Sequence, residues 1–425
     1  MNTWDDLRGK RVAVWGVGRE GQATVRKLAD VRAAETILVE DNPSADSVRP
    51  TASGVLTTVD AVIKSPGISR YRPEVAEIAA RGIPVLGGLG LWLAGADRAR
   101  VVCVTGTKGK STTTAILAHL LNGLGYHAST GGNIGEVPWD PVSGAADYYV
   151  IEVSSYQATD LDCAPPVVAV TSLHPDHLDW HGGVERYYSD KLSLCTRPGA
   201  DLTVANGDSD LLRARREMLG PRVDWVSAGE AAPWTDALGI PGEHNKRNAL
   251  IASRCITGLG IGATDADLEK AAHRYHGLPS RLATIGIRDG VTFVDDSLST
   301  NVLPTLAALD AFAGKRIALI AGGHDRGIDY TPLAHAVATR GYPTRVYTLP
   351  GSGDRIHAAL REQGQHAVQC DDLDTAVRQA HEWAQPDGVV LLSPASPSFG
   401  QFRDYRDRAQ AFATAMRALP DLPRS

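Results

Sequence analysis

No apolar run in the sequence approaches the roughly 18 residues that a membrane-spanning helix requires, so no membrane partner is expected. The opening stretch Met1-Asn2-Thr3-Trp4-Asp5-Asp6 is acidic and lacks the apolar centre of a signal peptide. Cysteine is scarce: the five residues Cys103, Cys163, Cys195, Cys255 and Cys370 are odd in number, far apart and never spaced C-x-x-C. A disulfide scaffold is thereby excluded, and reduced thiols in a cytoplasmic protein are expected. Positive charge is not in excess either, with 43 Lys and Arg against 49 Asp and Glu and a net charge of -6. Such a balance gives no general drive toward nucleic acid or acidic membranes, and a nucleic-acid partner is not expected. Internal repeats are absent.

What is present is an ordinary globular mixture, 43% hydrophobic and 22% charged, in 425 residues, enough for two or three domains. Short β-branched runs alternate with helical patterns, as in parallel α/β sheets. Residues 11–15, 36–39 and 61–64 read as strands and 22–29 as a helix, giving a first, Rossmann-like domain over 1–95. Residues 101–104, 148–153 and 167–171 read as strands and 111–124 as a helix, within a central P-loop ATPase-like domain over 96–283. Strand-like runs at 291–294, 316–320, 345–348 and 389–392 give a third, Rossmann-like domain over 284–425.

Four local patterns carry chemistry. Gly16-Val17-Gly18-Arg19-Glu20-Gly21 follows a strand and opens a helix, with Glu40 about 20 residues on, so it reads either as a nucleotide fingerprint or as a tight strand-helix turn without ligand. Thr105-Gly106-Thr107-Lys108-Gly109-Lys110-Ser111-Thr112 is a shortened phosphate loop, since Val104 stands where the generic pattern has its first glycine. In such a loop backbone amides cradle phosphates, Lys110 reaches the β and γ oxygens, and the Ser111 hydroxyl ligates Mg²⁺. Glu152, at the end of a strand-like run, is placed to bind a metal or orient a nucleophile; an exposed strand-end acid is the plain alternative. His174-Pro175-Asp176-His177-Leu178-Asp179-Trp180-His181 is open to three readings: a zinc site, a Mg²⁺ or substrate loop, or a solvated polar loop.

Taken in order, these motifs run on through Ser65-Pro66-Gly67, Gly131-Gly132-Asn133-Ile134-Gly135, Glu152-x-Ser154-Ser155-x-Gln157, Asp176-His177-x-Asp179, Lys191, Gly242-x-His244-Asn245-x-x-Asn248-Ala249, Gly277-Leu278-Pro279-x-Arg281 and Asp296-Ser297. The series resembles the Mur ligases, and among them the glutamate-adding branch. That resemblance implies three α/β domains that bind, in chain order, a UDP-sugar, ATP and an amino acid. It implies an ATP-dependent amide-bond-forming ligase of peptidoglycan precursor synthesis, which joins glutamate to UDP-N-acetylmuramoyl-L-alanine through an acyl phosphate. A monomer is expected.

Residue by residue, the resemblance gives ATP the loop Gly106, Thr107, Lys108, Gly109, Lys110, Ser111 and Thr112, together with Asn245, Asn248, Arg281 and Asp296. The UDP-sugar receives Gly18, Arg19, Glu20, Glu40, Ser65, Pro66, Gly67, Asn133, Ser154 and Gln157. Catalysis falls to Lys110, Glu152, His177 and Lys191. Two Mg²⁺ ions are implied, the first on Ser111 and the second on Glu152 and His177 with help from Lys191, which the family carbamylates. Thr300, Arg326 and Ser398 would take the amino acid.

The chain departs from the family pattern where that amino acid binds. Leu298 stands where a lysine is usual, Arg326 where another lysine is common, and Ser172 replaces an asparagine of the His177 loop. The first two changes favour L-glutamate, with D-glutamate as the alternative and Lys315, Arg403 or Arg406 as substitutes for the missing cation. Folylpolyglutamate synthetase is the rival enzyme, and a P-loop binding protein without ligase activity the rival of another class.

Overall fold

The computed structural model describes residues 1–43, 46–47 and 54–420. The chain forms two compact units, Met1–Leu238 with Arg247–Tyr275, and Gly239–Lys246 with His276–Ser425. Sixteen strands build three sheets among the described residues.

In the first unit, β1 (Arg11–Trp15), β2 (Glu35–Val39), β3 (Ala61–Lys64) and β4 (Val85–Leu86) are parallel in the order β2-β1-β3-β4. The same unit carries β5 (Val101–Thr105), β6 (Ala128–Gly132), β7 (Tyr148–Glu152), β8 (Val167–Val170), β9 (Leu202–Asn206) and β10 (Arg222–Val226), parallel in the order β10-β9-β8-β5-β7-β6. Residues of β1, β3, β5, β7, β8 and the helix Val184–Leu192 share one apolar core. Strands covered on both faces are mostly apolar, and β3, β5 and β8 are unbroken buried runs in which only the terminal Lys64 of β3 and Thr105 of β5 are polar.

The second unit carries β11 (Ala283–Arg288), β12 (Val291–Asp295), β13 (Ile317–Ala321), β14 (Thr344–Thr348), β15 (Ala367–Gln369) and β16 (Val389–Leu392) in the order β11-β12-β16-β13-β14-β15. All are parallel except β11, which pairs antiparallel with β12 across the turn Asp289-Gly290. β11 is the exception to the parallel pattern because a tight hairpin can join only antiparallel strands.

Each sheet reverses its direction of growth once, and the crevice beyond the strand ends at such a reversal is where open α/β sheets receive ligands. In the first sheet it lies beyond β1 and β3, in the second beyond β5 and its neighbours β7 and β8, and in the third beyond β12, β16 and β13.

Candidate active site

The loop after β5 turns into the helix Lys110–Gly123 through two glycines with positive φ, Gly106 at 137° and Gly109 at 89°. Side chains are excluded at both. A Cβ on Gly106 would stand 2.2 Å from Thr171 Oγ1, and one on Gly109 would stand 2.9 Å from Asn248 Oδ1. The loop is laced to the segment after β8: Lys108 N donates to Ser172 Oγ at 2.8 Å, and the Thr171 hydroxyl donates to Lys108 O at 2.6 Å. Ser172 therefore has a defined task as a brace of the loop. Thr107 Oγ1 lies 2.8 Å from the Tyr187 hydroxyl and accepts from His174 N at 3.0 Å.

Two lysines converge on one carbonyl. Lys110 Nζ donates to Gly106 O at 2.9 Å and to Thr107 O at 3.1 Å, while Lys191 Nζ donates to Gly106 O at 3.0 Å. Lys191 is 2% exposed, and burial followed by the neighbouring Lys110 charge pushes its ammonium well below the usual lysine range. A carboxylate also belongs to this neighbourhood. Glu152, 1% exposed at the end of β7, accepts from Asn133 Nδ2 at 2.8 Å through Oε1, whereas its buried Oε2 has no partner among the described residues. A buried carboxylate oxygen is costly to leave unpaired, so this one points to a ligand of positive charge. Glu152 favours, and Lys110 opposes, charge on Lys191.

The three histidines of the 174–181 cluster go to different places. Among the described residues no group of three or more His, Cys, Asp and Glu side chains can hold a metal, which removes the zinc reading. His174 faces Thr107 through its backbone. His177 sits at φ 52° before the short helix Leu178–His181, half-exposed, with its ring against Tyr156 and its pKa lowered by burial against the pull of Asp176. His181 is wholly buried between Asp190 Oδ2 at 2.6 Å and Ser155 Oγ at 3.0 Å.

Beyond β1 and β3 the expected UDP-sugar residues divide. Glu20 and Ser65 line a small cleft with Gly16, Gly21, Lys64 and Trp139. Ser65 Oγ donates to Gly16 O at 2.9 Å, and burial raises the Glu20 carboxyl to about 7. Gly18 precedes the helix Arg19–Asp30, and Gly67 O accepts from Trp180 Nε1 at 3.2 Å. Glu40 accepts from Ser47 Oγ at 2.8 Å. Arg19 donates to Gly132 O at 2.7 Å and Gly135 O at 2.8 Å, so it clasps the loop that carries Asn133. Ser154 and Gln157 cap the helix Ser155–Ala158 reciprocally, and Gln157 Nε2 also reaches Glu20 Oε1 at 2.8 Å.

Of the expected ATP residues beyond the loop, Asn248 lies against Gly109, while Asn245 donates to Pro241 O at 2.7 Å. In the second unit Arg281 is flanked by Ser280 and Leu282, both at positive φ, and Leu282 N donates to Asp296 Oδ1 at 3.2 Å. Burial raises the Asp296 carboxyl to about 6. Leu298 and Thr300 follow β12, exposed Arg326 follows β13, and buried Ser398 follows β16. Lys315 precedes β13, at the opposite end of the strands from these, and Arg403 and Arg406 are exposed beside Asp407 and Tyr405. Sequence reasoning did not single out Asp190, His181 as a buried anchor, or Arg408; the last breaks an apolar helical stripe, and that break was the signal available.

Comparison with known proteins sets these strand-end loops in a family. Residues 104–236 match the Mur ligase middle domain, and residues 280–396 match the Mur ligase, glutamate ligase domain. A UDP-N-acetylmuramoyl-L-alanine--L-glutamate ligase of Salinispora tropica is 40% identical over 97% of this chain and 98% of its own. The chain belongs to the Mur ligases, which are ATP-dependent amide-bond-forming enzymes. In fold it is similar to the UDP-N-acetylmuramate-alanine ligase MurC of Thermotoga maritima, with a TM-score of 0.59 at 19% identity over 96% of this chain and 99% of that one. Mycobacterium tuberculosis folylpolyglutamate synthase, solved with ADP and AMPPCP, reaches a TM-score of 0.55 at 15% identity but covers 74% of this chain and 92% of its own.

Proposed function

We propose that this chain joins L-glutamate to UDP-N-acetylmuramoyl-L-alanine at the expense of ATP, as a cytoplasmic monomer supplying peptidoglycan precursor. The observation that carries the proposal is the end-to-end identity of 40% with a ligase of that name. A carboxylate oxygen is a poor leaving group, so the substrate carboxylate is first phosphorylated. The amine of glutamate then attacks the acyl carbon, and phosphate leaves as the amide bond forms.

In this reading the loop amides of Gly106–Thr112 cradle the phosphates, and Lys110 exchanges its two loop carbonyls for the γ-phosphate oxygens. Asn245, Asn248, Arg281 and Asp296 serve the nucleotide, whereas Gly18, Arg19, Glu20, Glu40, the 65–67 turn, Asn133, Ser154 and Gln157 serve the UDP-sugar. Ser111 would hold one Mg²⁺, and Glu152, His177 and Lys191 a second. The unpartnered Glu152 Oε2 fits that donor set, and so does Lys191, whose depressed basicity supplies the neutral amine needed to add CO₂ and release a proton, leaving an anionic carbamate. Bound there, the cations would neutralise charge on the transferring phosphoryl group.

Thr300, Arg326 and Ser398 are assigned to the amino acid. A guanidinium at Arg326 and an apolar side chain at Leu298 move the cation that meets the side-chain carboxylate, as the opposite hand at the α-carbon requires, and Arg adds a bidentate fork that Lys lacks. Phosphate release measured with UDP-N-acetylmuramoyl-L-alanine and each glutamate enantiomer at equal concentration tests the proposal. L-Glutamate is expected to give the higher kcat/KM. A higher value for D-glutamate overturns the handedness alone; release that ignores the UDP substrate overturns the whole reading.

A further inference from the structure

We propose that Arg408 is a positioning residue for amino-acid recognition, a buried guanidinium that fixes the three strand-end loops of the second unit against one another. It rests on the reading above in one respect only, that these loops receive glutamate.

Arg408 lies on the helix Tyr405–Arg417, whose buried stripe is Arg408, Phe412, Ala415 and Met416. This spacing describes a helix face packed on a sheet, and an apolar residue is what such a face calls for. Arg408 is nevertheless 0% exposed; among the described residues no carboxylate lies within ion-pair distance, Asp295 attracts the guanidinium only from farther off, and Nε has no hydrogen-bond partner. A buried charge without a paired carboxylate is more costly than an apolar side chain of similar volume. Packing of the helix therefore does not explain an arginine here.

Its acceptors do. Arg408 Nη2 donates to Ser297 O at 2.9 Å and to Ser396 O at 3.1 Å, and Nη1 reaches Gly322 O at 3.5 Å. These three carbonyls follow β12, β16 and β13, which are adjacent in the sheet and flank its reversal point. A Cβ on Gly323, where φ is 146°, would stand 3.1 Å from Nη1, so the loop after β13 passes directly over the guanidinium. Other bonds tie the same loops: His324 N donates to Pro397 O at 2.8 Å, and Ser352 N donates to Gly323 O at 2.7 Å. The Ser396 hydroxyl lies 2.7 Å from both Tyr330 OH and Ser352 Oγ.

The loops so gathered carry Leu298 and Thr300, Arg326, and Ser398. A planar fork of fixed N–H directions can serve carbonyls from separate strands at once, whereas an ammonium at the end of a flexible stem cannot hold the same geometry. Arg408 thus sets the spacing of groups it does not itself present to the ligand.

Arg408→Lys and Arg408→Met in the full chain test this. Both are expected to raise KM for glutamate roughly ten- to hundredfold, the factor that loss of a charge-assisted hydrogen bond carries, with Met the larger effect. KM for the UDP-muramoyl substrate stays within about twofold, since its proposed residues lie in the first unit. Amide hydrogen exchange is expected to quicken at 297–300, 322–326 and 396–398, while strands β13 and β16 keep their protection. Wild-type KM for glutamate and wild-type exchange in folded variants would overturn the proposal. So would an equal loss of kcat for every substrate with a general loss of protection, or failure of both variants to fold, because either makes Arg408 a support of the whole unit. Should the wild type use neither glutamate enantiomer, the assignment of substrate fails, and the exchange pattern alone still decides whether Arg408 sets these loops.

Discussion

Lys191 illustrates how one residue changes meaning between sequence and structure. In Tyr187-Tyr188-Ser189-Asp190-Lys191 it reads as an exposed helical lysine, yet it is buried, bonded to Gly106 O, and pushed toward the neutral amine by burial and by Lys110. An uncharged amine is the form that can take up CO₂, and a carbamate at that place carries a negative charge a bare lysine cannot. Lys191→Ala is therefore expected to lose activity by about 10² or more, and short carboxylic acids such as acetate should restore part of it. Steady-state phosphate release with and without acetate measures this; a fully active Lys191→Ala enzyme would refute the role. Glu20 gives a second residue-level consequence, in stability. Its carboxyl is raised from 4.5 to about 7 by burial, so between those values the folded chain keeps a proton that the unfolded chain has released. Its contribution to stability thus falls as pH rises through that window. Glu20→Gln should flatten the slope, and urea unfolding at pH 5.5 and pH 8 should show a gain for the variant that is larger at the higher pH.

At the scale of elements, legibility followed burial on both faces. Strands β3 and β16 occupy the residues expected, and β1 likewise, because parallel central strands are continuous apolar runs that little else imitates. The helix after the phosphate loop was displaced from expectation by one residue at each end, Lys110–Gly123 against 111–124. Strands β4, β6, β9, β10, β11 and β15 were not foreseen; five of them stand at sheet edges, whereas β9, Leu-Thr-Val-Ala-Asn, is interior and buried throughout and was missed because polar residues interrupt its apolar run. β6 is Ala-Ser-Thr-Gly-Gly, with no apolar run to notice; Gly132 is required there because a Cβ would meet Glu152 O at 2.3 Å. The site was legible where backbone chemistry demands particular residues, as at Gly106 and Gly109. It was not legible where a side chain serves another part of the fold, as Arg19 does for the 132–135 loop. The phosphate loop accordingly gives the sharpest element-level prediction. Gly106→Ala would force a Cβ 2.2 Å from Thr171 Oγ1 at a φ of 137°. Such strain costs about 1–3 kcal/mol, and a loop shifted by about 1 Å should lower turnover about 10²-fold. Nucleotide titration by calorimetry should show weakened binding by a folded protein; unchanged affinity would show that the loop can give way.

On the scale of the whole molecule, the first two sheets are joined by charge as well as by a common core. Lys64 closes β3 with its side chain 0% exposed, and it pairs with Asp160, 3% exposed, which follows the helix Ser155–Ala158 of the central sheet. Burial pushes the Asp160 carboxyl up, while Lys64 and Arg70 hold it down, and its backbone carbonyl lies 2.6 Å from where a Cβ on Gly90 would stand. The pair spans 96 residues of sequence and sits among Glu20, Gln157 and the 65–67 turn, so it fixes the crevice of the first sheet relative to Glu152 and its neighbours. A buried pair of this kind adds little over apolar residues of the same size, but breaking it leaves one charge buried alone. Asp160→Ala should therefore cost about 3–5 kcal/mol, and Lys64→Met added to it should recover much of that loss. Because one core runs through both sheets, the loss should lower the unfolding free energy of residues in β1 and in β5 together rather than release the first sheet by itself. Hydrogen exchange resolved by segment distinguishes the two: matched losses of protection in 11–15 and 101–105 are expected, and a loss restricted to 11–15 would mean that the first sheet unfolds as a unit of its own.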